Sequence, residues 1–154
     1  MDAQRERRYE RVYEQLRSLI EGASPSLVAA MATICAVLHA KMSHHFWTGF
    51  YFVAEGGALH VGPYQGPLAC QTLEGGGVCR RVVATRAAVI VSDVAELPDH
   101  VACDPRSKSE IAIPVTKGGE VVAVFDVDSA EIGQFSAEDV APLERILSLL
   151  DPLL

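Results

Sequence analysis

The stretch SEIAIPVTKGGEVVAVFDVD, Ser109 to Asp128, reads as two strands and the turn between them. Ser109–Val115 and Val121–Asp128 are apolar and rich in β-branched residues, and Lys117-Gly118-Gly119-Glu120 supplies the turn. Side chains alternate across a strand, so Asp126 and Asp128 share one face while Phe125 and Val127 take the other. Glu110 lies on the partner strand. Side by side, Glu110, Asp126 and Asp128 would raise one another's pKa, so that one could hold a proton near neutrality. Acids on the solvent face of a strand are common, and on this pattern alone both readings stand.

The flanking chain supplies helices and a second hairpin. Residues 5–21 place Tyr9, Val12, Tyr13, Leu16, Leu19 and Ile20 at helical spacing. Ser24-Pro25 offers an N-cap and a first-turn proline for a second helix through Leu27, Met31, Ile34 and Leu38. His44–Val53 is a strand with Trp47, Gly49, Tyr51 and Val53 on one face and Phe46, Thr48, Phe50 and Phe52 on the other. Gly49 leaves a gap between Trp47 and Tyr51 that fits a small apolar group, or else marks ordinary core packing at a bulge. Gly56-Gly57 is a two-residue hairpin signal into Ala58–Pro63. Gly62–Gly77, dense in Gly and Pro, reads as one long irregular loop, and Val78–Thr85 as a short helix. Ala88–Val91 adds a short strand, and residues 98–109 form a loop. Ser136-Ala137-Glu138-Asp139 resembles a capping box opening a last helix with Val140, Leu143, Ile146, Leu147 and Leu150 buried. The expected fold is α+β, one domain over residues 1–154, with a mostly antiparallel sheet flanked by helices.

Bulk properties exclude several classes. The 154 residues are 49% hydrophobic and 21% charged with a net charge of −7, an ordinary globular composition without the positive face that nucleic acid requires. The basic start, Arg5, Arg7, Arg8 and Arg11, is interleaved with Glu6, Glu10 and Glu14, as on a solvated helix face. The apolar runs are too short to span a bilayer, and the start of the chain lacks the pattern of a signal peptide. No membrane contact is expected, and the cytoplasm is the expected compartment.

Of the four cysteines, Cys35 sits among apolar helix positions and reads as a buried inert thiol. Cys70 lies in the glycine-rich loop, and Cys79 falls at the start of the following helix. There the helix dipole with Arg80 and Arg81 would lower its pKa. Cys103 stands between His100 and Asp104-Pro105 in a polar loop, the best placed of the four to attack. Cys70, Cys79 and Cys103 thus read as a redox site. A zinc site of these three with His100 is conceivable, but tight Cys-x-x-Cys knuckles are absent, and no metal or cofactor is expected.

Several short pieces of this chain occur together in a known family. They are Trp47-Thr-Gly-Phe-Tyr51, Gly62-Pro-Tyr-Gln-Gly-Pro-Leu-Ala-Cys70, Gly77-Val-Cys79, His100-Val-Ala-Cys103-Asp104, Ser109-Glu110-Ile and Asp126-Val-Asp128-Ser129. With them the chain resembles GAF domains, and among these the free methionine-(R)-sulfoxide reductases. Two departures stand out: Gln71–Gly77 is one residue shorter than the family pattern, and Arg80 occupies the place of a glycine.

The resemblance implies that Cys103, as thiolate, attacks the sulfur of free methionine-(R)-sulfoxide while Glu110, Asp126 or Asp128 protonates its oxygen. It further implies that Cys70 resolves the resulting sulfenic acid, with Cys79 as the alternative, and that thioredoxin reduces the disulfide. Trp47 and Tyr51 would pack on the methyl and thioether end. Ionised acids among Glu110, Asp126 and Asp128 would bind the ammonium and so reject peptide-bound methionine. A homodimer is implied as well. The competing expectation is a non-catalytic GAF ligand sensor. Sensors of that kind usually regulate an attached output domain, for which the sequence leaves no room, and they need no trio of thiols.

Overall fold

The computed structural model describes residues 1–101 and 103–154. Helix α1, Ala3–Ile20, starts where the Asp2 carboxylate accepts the Arg5 N–H at 2.8 Å, and it buries Tyr9, Val12, Leu16 and Ile20. Helix α2, Leu27–Lys41, is capped by Ser26, whose hydroxyl accepts the Ala29 N–H at 3.2 Å. The cap thus falls two residues beyond the expected Ser24. Ser26 has the extended backbone a cap needs, which leaves Pro25 outside the helix.

Strands β1 (Trp47–Val53), β2 (Leu59–Gln65) and β3 (Thr72–Leu73) are followed by α3 (Val78–Thr85) and β4 (Val89–Val91). Then come β5 (Ser109–Lys117), β6 (Glu120–Ser129) and α4 (Ala137–Leu147). The sheet order is β3-β2-β1-β6-β5-β4, and every neighbouring pair is antiparallel. Two loops differ from the sequence expectation. Gly56 and Gly57 lie in a 3-10 turn, Glu55–Gly57, with φ of 83° and 85° that L-residues rarely adopt. The Gly62–Gly77 segment is only partly irregular: β2 runs to Gln65, and β3 comes back to pair with it at Leu59↔Leu73.

The sheet divides the interior. On one face Phe50, Ile111, Ile113, Phe125 and Val127 pack against α1, α2 and α4, with the Phe50 and Phe125 rings 5.0 Å apart. Cys35 lies in this core. Burial raises its thiol pKa, and its Sγ donates to Pro63 O at 3.4 Å, in keeping with the inert role expected of it. On the other face Trp47, Tyr51, Ala112 and Val124 pack against Val78, Cys79 and Val82 of α3. Phe46 precedes β1 and packs with this second cluster. Strict alternation had put it with Phe50, but alternation does not extend beyond the strand end. Among the described residues no helix is long and apolar enough to cross a membrane.

The capping box forms at α4: the Ser136 N–H donates to Asp139 at 2.9 Å. The same buried carboxylate accepts from Tyr9 at 3.0 Å and pairs with Arg5 at 2.9 Å, tying α1 to α4. Arg5 also donates to Gln134 O and contacts His44. Replacing Asp139 with Asn leaves Arg5, only 22% exposed, without its counter-ion. Asp139→Asn is therefore expected to lose about 3 kcal/mol of stability in urea denaturation at pH 7.

Candidate active site

Antiparallel register builds the polar face. Trp47 pairs with Asp128 and Gly49 with Asp126 across β1 and β6, while Glu110 pairs with Asp128 and Ala112 with Asp126 across β5 and β6. Directly paired residues point to the same side of a sheet. Trp47, Glu110, Asp126 and Asp128 therefore line one cavity, with Tyr51, Cys79 and Cys103. Its rim comes from Pro67–Ala69 and from His100, Val101 and Asp104.

The gap expected at Gly49 is filled. The Trp47 indole folds over Gly49, and a β-carbon there would fall inside contact distance of the indole and of Tyr64. Trp47 stacks on Tyr51 and on Tyr64, with centroid separations of 5.7 and 5.5 Å. Gly49 is thus a site of close packing. The Trp47 indole N–H is buried and has no hydrogen-bond partner, and Tyr51 donates its hydroxyl to Cys70 O at 3.3 Å.

The three carboxyl groups meet as the strand pattern implied, and they are not on a solvent face. Glu110 is 5% exposed and Asp126 6%. Burial, with the charges of Asp126 and Asp128 behind it, raises the Glu110 pKa well above that of a free carboxyl. Burial also pushes Asp126 up to about 6. Asp128 is raised by burial and by the neighbouring Asp126 charge, against the opposing hydrogen bond from Ser107. Glu110 and Cys79 face the Asp126 carboxyl closely enough to oppose the rise of its own pKa, but its buried Oδ1 receives no hydrogen bond. His100 places Nδ1 4.0 Å from Glu110 Oε2, and burial lowers its pKa.

Cys70 and Cys103 are joined in a disulfide with Cα atoms 5.4 Å apart, 33 residues distant in sequence. It staples the loop after β2 to the loop before β5 at the cavity rim. Cys79 is the reverse of what its helix position suggested. Its side chain is fully buried, and desolvation, reinforced by Asp126, Glu110 and Asp128, holds its pKa well above that of a free thiol. The arginines expected to lower it point elsewhere: Arg80 donates to Gly75 O at 3.1 Å and Arg81 pairs with Asp99 at 2.6 Å. Arg80, one of the two family departures, does not line the cavity. The Asp104 carboxylate beside Cys103 is engaged by Arg106, which holds its pKa down at about 2.

Cys70, Cys79, Cys103, Trp47, Tyr51, Glu110, Asp126 and Asp128 all lie at or beside this one cavity. The sequence reading missed Ser107, which lines the cavity with Asp128 and opposes the rise of its pKa, and the rim residues Leu68 and Val101. Leu68 is 85% exposed, and a bulky apolar side chain in the glycine- and proline-bounded run Gly66-Pro67-Leu68-Ala69-Cys70 was the available signal. The Cys-Cys-Cys-His donor set is not assembled while Cys70 and Cys103 are bonded to each other.

The GAF domain family matches residues 24–151. The free methionine-R-sulfoxide reductase of Escherichia coli is 36% identical over 134 residues, 82% of this chain and 81% of the relative. The structure of a free methionine-R-sulfoxide reductase from Neisseria meningitidis in complex with its substrate superposes with a TM-score of 0.88 at 36% identity, covering 94% of this chain and 86% of that one. A candidate GAF sensor protein from Burkholderia vietnamiensis superposes with a TM-score of 0.85 at 38% identity, covering 93% and 90%.

A buried carboxyl whose folded pKa lies above its unfolded one leaves stability intact at low pH and removes it as pH rises through the folded value. For Asp126 the window runs from 3.8 in the unfolded chain to about 6. Those two pKa units predict that Asp126→Asn gains about 2–3 kcal/mol relative to wild type between pH 4 and pH 8. Denaturation of both proteins across that range reads the difference directly, with the histidine contributions cancelling.

Proposed function

The chain belongs to the GAF domain family, and we propose that over residues 1–154 it acts as a free methionine-(R)-sulfoxide reductase. The observation that carries this reading is the Cys70–Cys103 bond at the rim of a cavity holding three carboxyl groups of raised pKa. The E. coli and N. meningitidis relatives support it.

Cys103, as thiolate, attacks the substrate sulfur while a protonated carboxyl, best supplied by Glu110, delivers its proton to the oxygen. The oxygen passes to Cys103 Sγ as the sulfur–oxygen bond and the transient bond between Cys103 Sγ and the substrate sulfur both break, so methionine departs and Cys103 is left as a sulfenic acid. The Cys70 thiol then attacks Cys103 Sγ, water leaves and the disulfide forms. Thioredoxin supplies the two electrons that restore both thiols. Cys79 takes no part in that disulfide. Asp126 ionises most readily of the three, and its unpartnered oxygen suits the substrate ammonium. A peptide nitrogen carries no charge and would leave that oxygen unpaired, so the site favours the free amino acid. Trp47 and Tyr51 receive the methyl and thioether end. The working form is a homodimer in the cytoplasm. The likeness to the B. vietnamiensis protein favours a second reading, a GAF sensor that binds a small ligand without turnover.

NADPH consumption with thioredoxin and thioredoxin reductase separates the two. Wild type is expected to turn over the free R epimer and neither the S epimer nor a peptide-bound sulfoxide, and Cys103→Ser to be inactive. Absence of turnover by folded, reduced protein overturns the reductase reading and leaves the sensor. Cys70→Ser should release one methionine per chain and then stall as the sulfenic acid, detected by dimedone labelling. Glu110→Gln should lower kcat by a factor of about 100 or more if Glu110 is the acid.

A further inference from the structure

The disulfide chemistry leaves one reactive group unused. Cys79 Sγ, Glu110 and Asp126 come from α3, β5 and β6, and their donor atoms all lie within 4.8 Å of one another. All three side chains are buried. Asp126 Oδ1 is an acceptor with no donor, in a residue only 6% exposed. Lone acidic clusters are common on proteins. This one is buried on the cavity face of the sheet, includes a thiol and contains an unsatisfied oxygen.

We propose that these three side chains form a binding site for a divalent cation of borderline softness, Zn²⁺ or Co²⁺. A tetrahedral ion with sulfur at about 2.3 Å and oxygen at about 2.0–2.2 Å needs its donors roughly 3.3–3.8 Å apart. Side-chain rotations of about an ångström therefore close the cage, with the backbone held by the sheet and α3. His100, whose Nδ1 is 4.0 Å from Glu110 Oε2, or a water from the cavity completes the fourth position.

Charge balance favours the exchange. Coordination through sulfur needs the thiolate, so the ion must take the place of protons held by its ligands. A divalent ion that displaces the thiol and Glu110 protons leaves the total buried charge as it was. Affinity must then rise with pH, because protons are released on binding. The thiolate excludes Mg²⁺ and Ca²⁺, which take all-oxygen shells of higher coordination number.

The site would put the ion on the Asp126 oxygen assigned above to the substrate ammonium, making it a competitive inhibitor. Only that consequence rests on the reductase reading; ion binding does not. Cys79 stays a thiol when Cys70 and Cys103 are bonded, so the site persists in the oxidised protein.

The test uses the oxidised protein, where Cys79 and Cys35 are the only free thiols. Co²⁺ titration is expected to give a sulfur-to-cobalt charge-transfer band in the near ultraviolet, saturating at one ion per chain. Zn²⁺ should bleach it, Mg²⁺ should not, and Cys35→Ser should keep it. Asp126→Asn should weaken Zn²⁺ at least tenfold against a chromophoric chelator, and Cys79→Ser should abolish the band. No band in oxidised wild type, or a band lost in Cys35→Ser and kept in Cys79→Ser, overturns the proposal. With reduced enzyme, Zn²⁺ should raise the apparent KM for free methionine-(R)-sulfoxide without changing kcat. If wild type turns over no sulfoxide, the reductase reading fails while the cobalt band still decides the ion site.

Discussion

Three carboxyl groups of β5 and β6 face a thiol of α3 across one buried site, and taking such groups from water is costly unless they hold protons or find counter-charges. No lysine or arginine among the described residues lines the cavity. The site answers with protons: burial raises Glu110, Asp126, Asp128 and Cys79 together. Several features follow from that one constraint. An acid can stay protonated beside an ionised neighbour, a cation entering the cavity meets acceptors with few competitors, and the helix dipole fails to make Cys79 a thiolate.

The sheet can carry this burden because its two faces do different work. The Phe50–Phe125 face is an apolar core closed by three helices, and the Asp139 network with Arg5, Tyr9 and Ser136 ties the first helix to the last. Stability stored there offsets the unfavourable burial on the opposite face. The cavity side is closed more lightly, by one short helix and two loops joined through Cys70 and Cys103. In the proposed cycle that bond forms and breaks once per turnover, which places the covalent change in loops rather than in sheet or core.

The placement of Cys103 and Cys79 shows why neighbouring cysteines need not share a role. Both border the same cavity, yet Cys103 is exposed at a polar rim while Cys79 points beneath the sheet face toward Asp126 and Glu110. Access separates them, and with it the partner each can meet: another loop thiol for Cys103, buried carboxyls for Cys79.

Local pattern was enough for much of this. The helical spacing from Tyr9 to Ile20, the capping box at Ser136 and Asp139, and the turn at Gly118-Gly119 are short-range signals, because each depends on contacts within one or two turns of chain. Alternation along Val121–Asp128 placed Asp126 and Asp128 on one face for the same reason. The sequence by itself determined the four helices, the longer strands and the mostly antiparallel character of the sheet, and it put forward most of the side chains that line the cavity. Only the tertiary structure decided that Trp47 folds over Gly49, that β3 returns to β2, that Arg80 and Arg81 turn away, and that Cys79 lies buried among acids. Those outcomes depend on which distant segments exclude water from a side chain, and desolvation has no local signature in the order of residues.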